Sequence, residues 1–128
     1  MKFSRLAFTV PMAALVLSFG CFTGCSTMAK KPAMTSEQIM EEGFKGKTSL
    51  AARLSEDKGT QADKMRMVYL TQQLALNTPP KGDAANWSKL TKDLNLAAVA
   101  LESNAPGALS TWKAAVNCKQ CHSAHKPD

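Results

Sequence analysis

The chain has 128 residues, 45% of them hydrophobic and 20% charged, with a formal net charge of +6. Those proportions describe one small globular domain; they exclude a disordered tail, and the length excludes a dinucleotide-binding α/β fold or a βα-barrel. Two histidines are too few for a His-rich metal site or for a protein that holds several haem groups by imidazole.

Residues 1–24 do not belong to the fold. Lys2 and Arg5 make a basic start, and Leu6–Phe19 is an uncharged apolar run interrupted by Pro11. A membrane span needs about 20 apolar residues, so this run has the length of a signal-peptide core instead. Phe22-Thr23-Gly24-Cys25-Ser26 follows. It resembles the lipobox of bacterial lipoproteins, with Phe22 where that motif usually carries Leu. The resemblance implies cleavage before Cys25, lipidation of Cys25 and attachment to a membrane, with Ser26 favouring the outer one. Plain secretion with cleavage after Ala29 is the alternative, giving a soluble periplasmic protein. Residues 25–34 read as a tether.

The remainder, residues 35–128, reads as helices. Thr35-Ser36-Glu37-Gln38 fits a capping box, with Ile39, Met40 and Phe44 as an early apolar face. Gly43 and Gly46 weaken this helix and predict a bend near Gly46. Leu50, Ala51 and Leu54 continue it, and Gly59 is expected to end it. Thr60 and Asp63 mark the next start, before a strong run over Met65–Leu76, where Met65 and Met67 are expected in the core. Asn77-Thr78-Pro79-Pro80-Lys81-Gly82 must be a loop. Asp83 caps a third helix whose stripe is Trp87, Leu90, Leu94, Ala97, Ala98 and Leu101. Asn104 is expected to cap a fourth, with Pro106 in its first turn and Leu109, Trp112, Ala115 and Val116 on its apolar face. No run alternates with period two. Four helices joined by short loops predict an all-α antiparallel four-helix bundle.

Charges are dispersed, and no basic run interleaves with aromatics, so nucleic acid is not an expected partner. No nucleophile–base pair stands out, so the chain is not expected to be an enzyme.

The informative motif is Cys118-Lys119-Gln120-Cys121-His122. C-x-x-C-H is the attachment signature of c-type haem. Each thiol adds across one haem vinyl group, and on a helix positions i, i+3 and i+4 share a face, so both sulfurs and the imidazole meet one porphyrin. His122 then supplies the proximal iron ligand. Two other readings compete. A thiol–disulfide centre usually sits in a βαβ setting. A zinc site would need His125 as a crowded fourth ligand on the same helix. Covalent haem attachment in bacteria needs export, which the signal peptide supplies.

A lone C-x-x-C-H near the C-terminus of a helical chain resembles the class II cytochromes c, which include cytochrome c′. The stretch Cys118–Lys126 carries the resemblance most sharply. It implies a four-helix bundle with one haem c on the C-terminal helix. It also implies that the residue facing the iron from the first helix decides function. Met40 is the candidate distal ligand there, with core packing as its other role, and Phe44 would pack on the haem. Met34 is a weaker candidate. Tyr69 is expected as a core residue or near a propionate, Lys126 near a propionate or in solvent, and His125 at the surface or the haem edge.

The expectation is a monohaem cytochrome c of the bacterial envelope, passing electrons by Fe(III)/Fe(II) cycling to periplasmic or membrane redox proteins. The alternative is a five-coordinate, cytochrome c′-like protein that binds NO or CO. A homodimer is left open.

Overall fold

The computed structural model describes residues 30–127, and every described element is helical. The expected signal peptide, with Cys25 and its lipobox, lies outside the described residues. α1 (Ser36–Ile39) runs directly into a π-helical turn (Met40–Phe44). α2 (Leu50–Ser55), α3 (Gln61–Leu76), α4 (Ala84–Glu102), α5 (Ala108–Ala115) and α6 (Cys118–His125) follow.

Local chemistry sets most of these starts. Thr35 accepts from the Gln38 N–H while the Gln38 side chain accepts from the Thr35 N–H, the reciprocal capping box. Thr60 and Asp63 repeat it at α3. Ser49 caps α2 and Asp83 caps α4, each accepting from the N–H three residues on. Asp63 is held below the usual carboxylate range, first by the Thr60 N–H it accepts and then by Arg53.

α3 and α4 lie antiparallel and make the most extensive contact in the fold. At one end the Gln61 side chain donates to the Glu102 carbonyl at 3.0 Å. At the other the Trp87 indole donates to the Asn77 carbonyl at 2.8 Å. Midway, the Asn95 amide donates to the Thr71 hydroxyl at 2.9 Å, so the polar atoms at this seam are satisfied. α5 packs on α4 and α2, and its Trp112, fully buried, donates to the Ser55 hydroxyl at 3.1 Å. The first segment crosses α3 closely at Gly43. A Cβ there would lie 3.0 Å from Leu70 Cδ1, so only glycine permits that approach without displacing Leu70.

Several expectations need correction. α2 stops at Ser55, and Asp57, not Gly59, takes the left-handed turn after it (φ 59°). Asn104 is not an N-cap: it has φ 54° just past the end of α4, where a left-handed residue closes the last turn. Gly107 (φ 75°) precedes α5 instead, leaving Pro106 outside the helix. Met65 points outward at 59% exposure, whereas Met67 is fully buried. The last helical sector is split between Ala115 and Cys118, because Val116 and Asn117 leave helical geometry.

Trp112→Ala should cost about 3–5 kcal/mol, by loss of a buried indole and the cavity it leaves. Thr60→Ala should cost about 1 kcal/mol. Both are read from urea unfolding followed by circular dichroism. The Asp63 part of that cap contributes fully above the unfolded carboxyl value and is lost as pH falls through the lowered folded one.

Candidate cofactor-binding site

α6 is short and starts where Asn117 accepts from the Gln120 N–H at 3.1 Å. Helical spacing puts Cys118, Cys121, His122 and His125 on one side, and all four line a single cavity of about 740 Å³. Met40 and Phe44 line the same cavity from the π-helical turn. Trp87, Leu90, Thr91 and Leu94 of α4 form another wall, and Ala115 and Val116 complete it beside α6. The size falls in the range of small-molecule and cofactor sites, and the walls are mostly apolar.

The side chains grade from open to closed. Cys118 and His122 are exposed, Cys121 is half-buried, and both cysteines are free thiols. Burial pushes the Cys121 thiol up, and neighbouring Cys118 adds to the effect. That is the opposite of the lowered value that marks reactive cysteines. With no strand among the described residues, the βαβ setting of a thiol–disulfide centre is also missing.

His125 corrects the expectation of a surface residue and borders the cavity instead. It is 2% exposed. Its Nδ1 donates to the Lys81 carbonyl at 2.9 Å, and its Nε2 lies 2.8 Å from Asn86 Oδ1, where a neutral ring accepts once the Asn86 amide is turned to present its NH2 group. The ring stands edge-on to Trp87 at 5.3 Å. Both nitrogens are engaged, so His125 is not free to be the fourth ligand of a zinc site. Among the described residues no three His, Cys, Asp or Glu side chains converge as a metal-binding group.

The other singled-out residues divide. Lys126 borders the cavity. Tyr69 is half-buried on α3 with the Arg66 guanidinium 4.9 Å over its ring, and it does not line the cavity. Met34 packs partly against the core, and neither it nor Met67 lines the cavity. The end of the expected tether is docked: Ala33 N–H donates to the Gln73 side chain at 2.7 Å, and the Asn77 amide donates to the Met34 carbonyl at 2.9 Å. The sequence reading missed Leu90 and Leu94 as cavity walls. Their place in the α4 stripe marked them as apolar and inward, but not as facing a void.

Comparison with protein-family models, with curated proteins and with solved structures finds no match to this chain.

Alkylation of the full-length, cofactor-free chain with iodoacetamide, followed by peptide-resolved mass spectrometry, should label Cys118 ahead of Cys121. The Cys121 rate should keep rising with pH beyond the ordinary thiol range. Equal labelling at neutral pH would contradict the burial of Cys121.

Proposed function

We propose that this chain is a monohaem c-type cytochrome for electron transfer. The observation that carries the reading is that both thiols and the imidazole of C-x-x-C-H line one cofactor-sized apolar cavity, with a methionine thioether on another wall. The donor set fits the group. Cys118 and Cys121 would hold haem c by thioether bonds, His122 would be the proximal iron ligand, and Met40 the distal one. Bound there, haem iron supplies one-electron Fe(III)/Fe(II) chemistry.

The chain's own residues have separate tasks. His122 would offer one ring nitrogen to the iron, and because the residue is exposed its other ring N–H can donate to water or to an acceptor on a partner. Met40, Phe44, Leu90 and Leu94 are only half-buried although all border the cavity. A flat apolar macrocycle would cover them and exclude water from the iron. A thioether on the iron favours the ferrous state and raises the reduction potential. The architecture in this reading is a four-helix bundle with two interrupted members. α1, the π-helical turn and α2 form the first, α3 and α4 the next two, and α5 with α6 the last. This is the class II cytochrome arrangement that the sequence motif suggests.

Location and partners follow from the same reading. A lipid on Cys25 would anchor the protein on the periplasmic side of a bacterial membrane. No helix among the described residues is long and apolar enough to cross one. α5 and α6 with the following residue carry Lys113, Lys119 and Lys126 and no Asp or Glu. That charge suits an acidic redox partner.

Cys118→Ser with Cys121→Ser should abolish covalent haem, seen as loss of haem staining on a denaturing gel; persistence would overturn the reading. Oxidised and reduced absorption spectra with and without carbon monoxide test the iron. A low-spin spectrum with the weak near-infrared iron–sulfur band, unmoved by carbon monoxide and erased in Met40→Ala, is expected. A high-spin spectrum shifted by carbon monoxide would instead mean five-coordinate, gas-binding iron with Met40 as packing only. Cys25→Ala should move the protein from the membrane to the soluble fraction.

A further inference from the structure

α6 poses a mechanical problem. It is a single short helix, far below the length at which helices are stable alone. It is joined to α5 through two non-helical residues, and its main helix neighbour is α4. Yet it carries both thiols and the imidazole of the site, whose rotation over the cavity must be set by something.

His125 is the buried residue of α6. It lies three positions beyond His122 on the same face, so a rotation of one is a rotation of the other. A buried imidazole costs free energy unless its nitrogens meet polar partners, and here each has one within hydrogen-bond distance. Their partners come from outside the helix: the Lys81 carbonyl in the proline loop and the Asn86 amide in the first turn of α4. The loop approaches so closely that a Cβ on Gly82 would lie 2.5 Å from the Ala124 carbonyl oxygen and 3.0 Å from His125 Nδ1. Gly82 also has φ +84°, so the position suits glycine twice over. Trp87 completes the socket, its own indole N–H fixed on Asn77.

We propose that His125 is the positioning residue of this site: it clamps the last turn of α6 to the loop and first turn of α4, and so fixes how Cys118, Cys121 and His122 face the cavity. The consequence for the iron rests on the haem reading above; the clamp itself does not.

Two variants disturb the clamp independently. His125→Phe keeps an aromatic ring beside Trp87 but removes both hydrogen bonds. Gly82→Ala leaves His125 intact and drives a methyl group into the Ala124 carbonyl. Amide hydrogen exchange on the full-length, haem-free chain should show α6 opening at least about tenfold more readily in both, with α3 and α4 unchanged. In haem-loaded protein both should keep covalent haem while the reduction potential shifts and the near-infrared iron–sulfur band weakens, effects that general loss of stability does not produce. Unchanged α6 exchange in both variants would overturn the proposal. So would equal acceleration throughout α3 and α4, since His125 would then support the whole fold and not the site. If the wild-type chain takes up no covalent haem, the haem reading fails, while the exchange result still decides the clamp.

Discussion

The indole of Trp87 joins four parts of the chain. Its N–H donates to the Asn77 carbonyl at the end of α3, and the Asn77 amide in turn holds the Met34 carbonyl of the segment before α1. Its ring meets His125 of α6 edge-on, and it sits in the first turn of α4. One side chain thus brings the start of the first helical segment, the end of the second, the start of the third and the end of the last to the same place. The cavity opens beside it. Replacing that indole would remove more than its own contact area, because each partner has been placed relative to the others through it.

The fold around this junction is economical. A chain of this size buries only a modest core, and much of what it has lies between α3, α4, α5 and the first segments. The surface ion pairs add little. Glu42 is held below the usual carboxylate range by Arg66, which ties the π-helical turn to α3, but both side chains are largely solvated. Apolar side chains on the cavity walls remain half-buried, and the proposed haem would cover them.

Legibility in the sequence followed the range of the cause. The capping boxes at Thr35 and Thr60, the Asp83 cap and the proline loop depend on neighbours within three or four residues, and each appears where the pattern predicts it. The grouping of Cys118, Cys121 and His122 follows from helical spacing alone. Features set by distant partners were not legible. The burial of His125 depends on groups 44 and 39 residues away. Met65 and Met67 look alike in a periodic run, and only the position of α4 and the first segment decides which turns inward. The break at Val116–Asn117 hides inside an apolar stripe that continues in register across it. Asn104 carries the chemistry of both an N-cap and a left-handed helix end, and the sequence does not say which use prevails.

The π-helical turn at Met40–Phe44 has a consequence for how this protein can vary in length. Such a turn is an α-helix that has absorbed one residue. Deleting a residue there would restore α geometry and leave the flanking residues close to their present phase, whereas the same deletion inside a regular helix such as α3 would swing one side by roughly 100° about the helix axis. Ile39, fully buried now, would stay in the core, and the change would fall on the turn that brings Met40 and Phe44 to the cavity wall. This stretch can therefore lose one residue at a smaller cost to packing than α3 or α4 could. Among homologous chains that keep this site, a one-residue difference in the spacing between the Thr35 cap and Phe44 should be accommodated more readily than one inside α3.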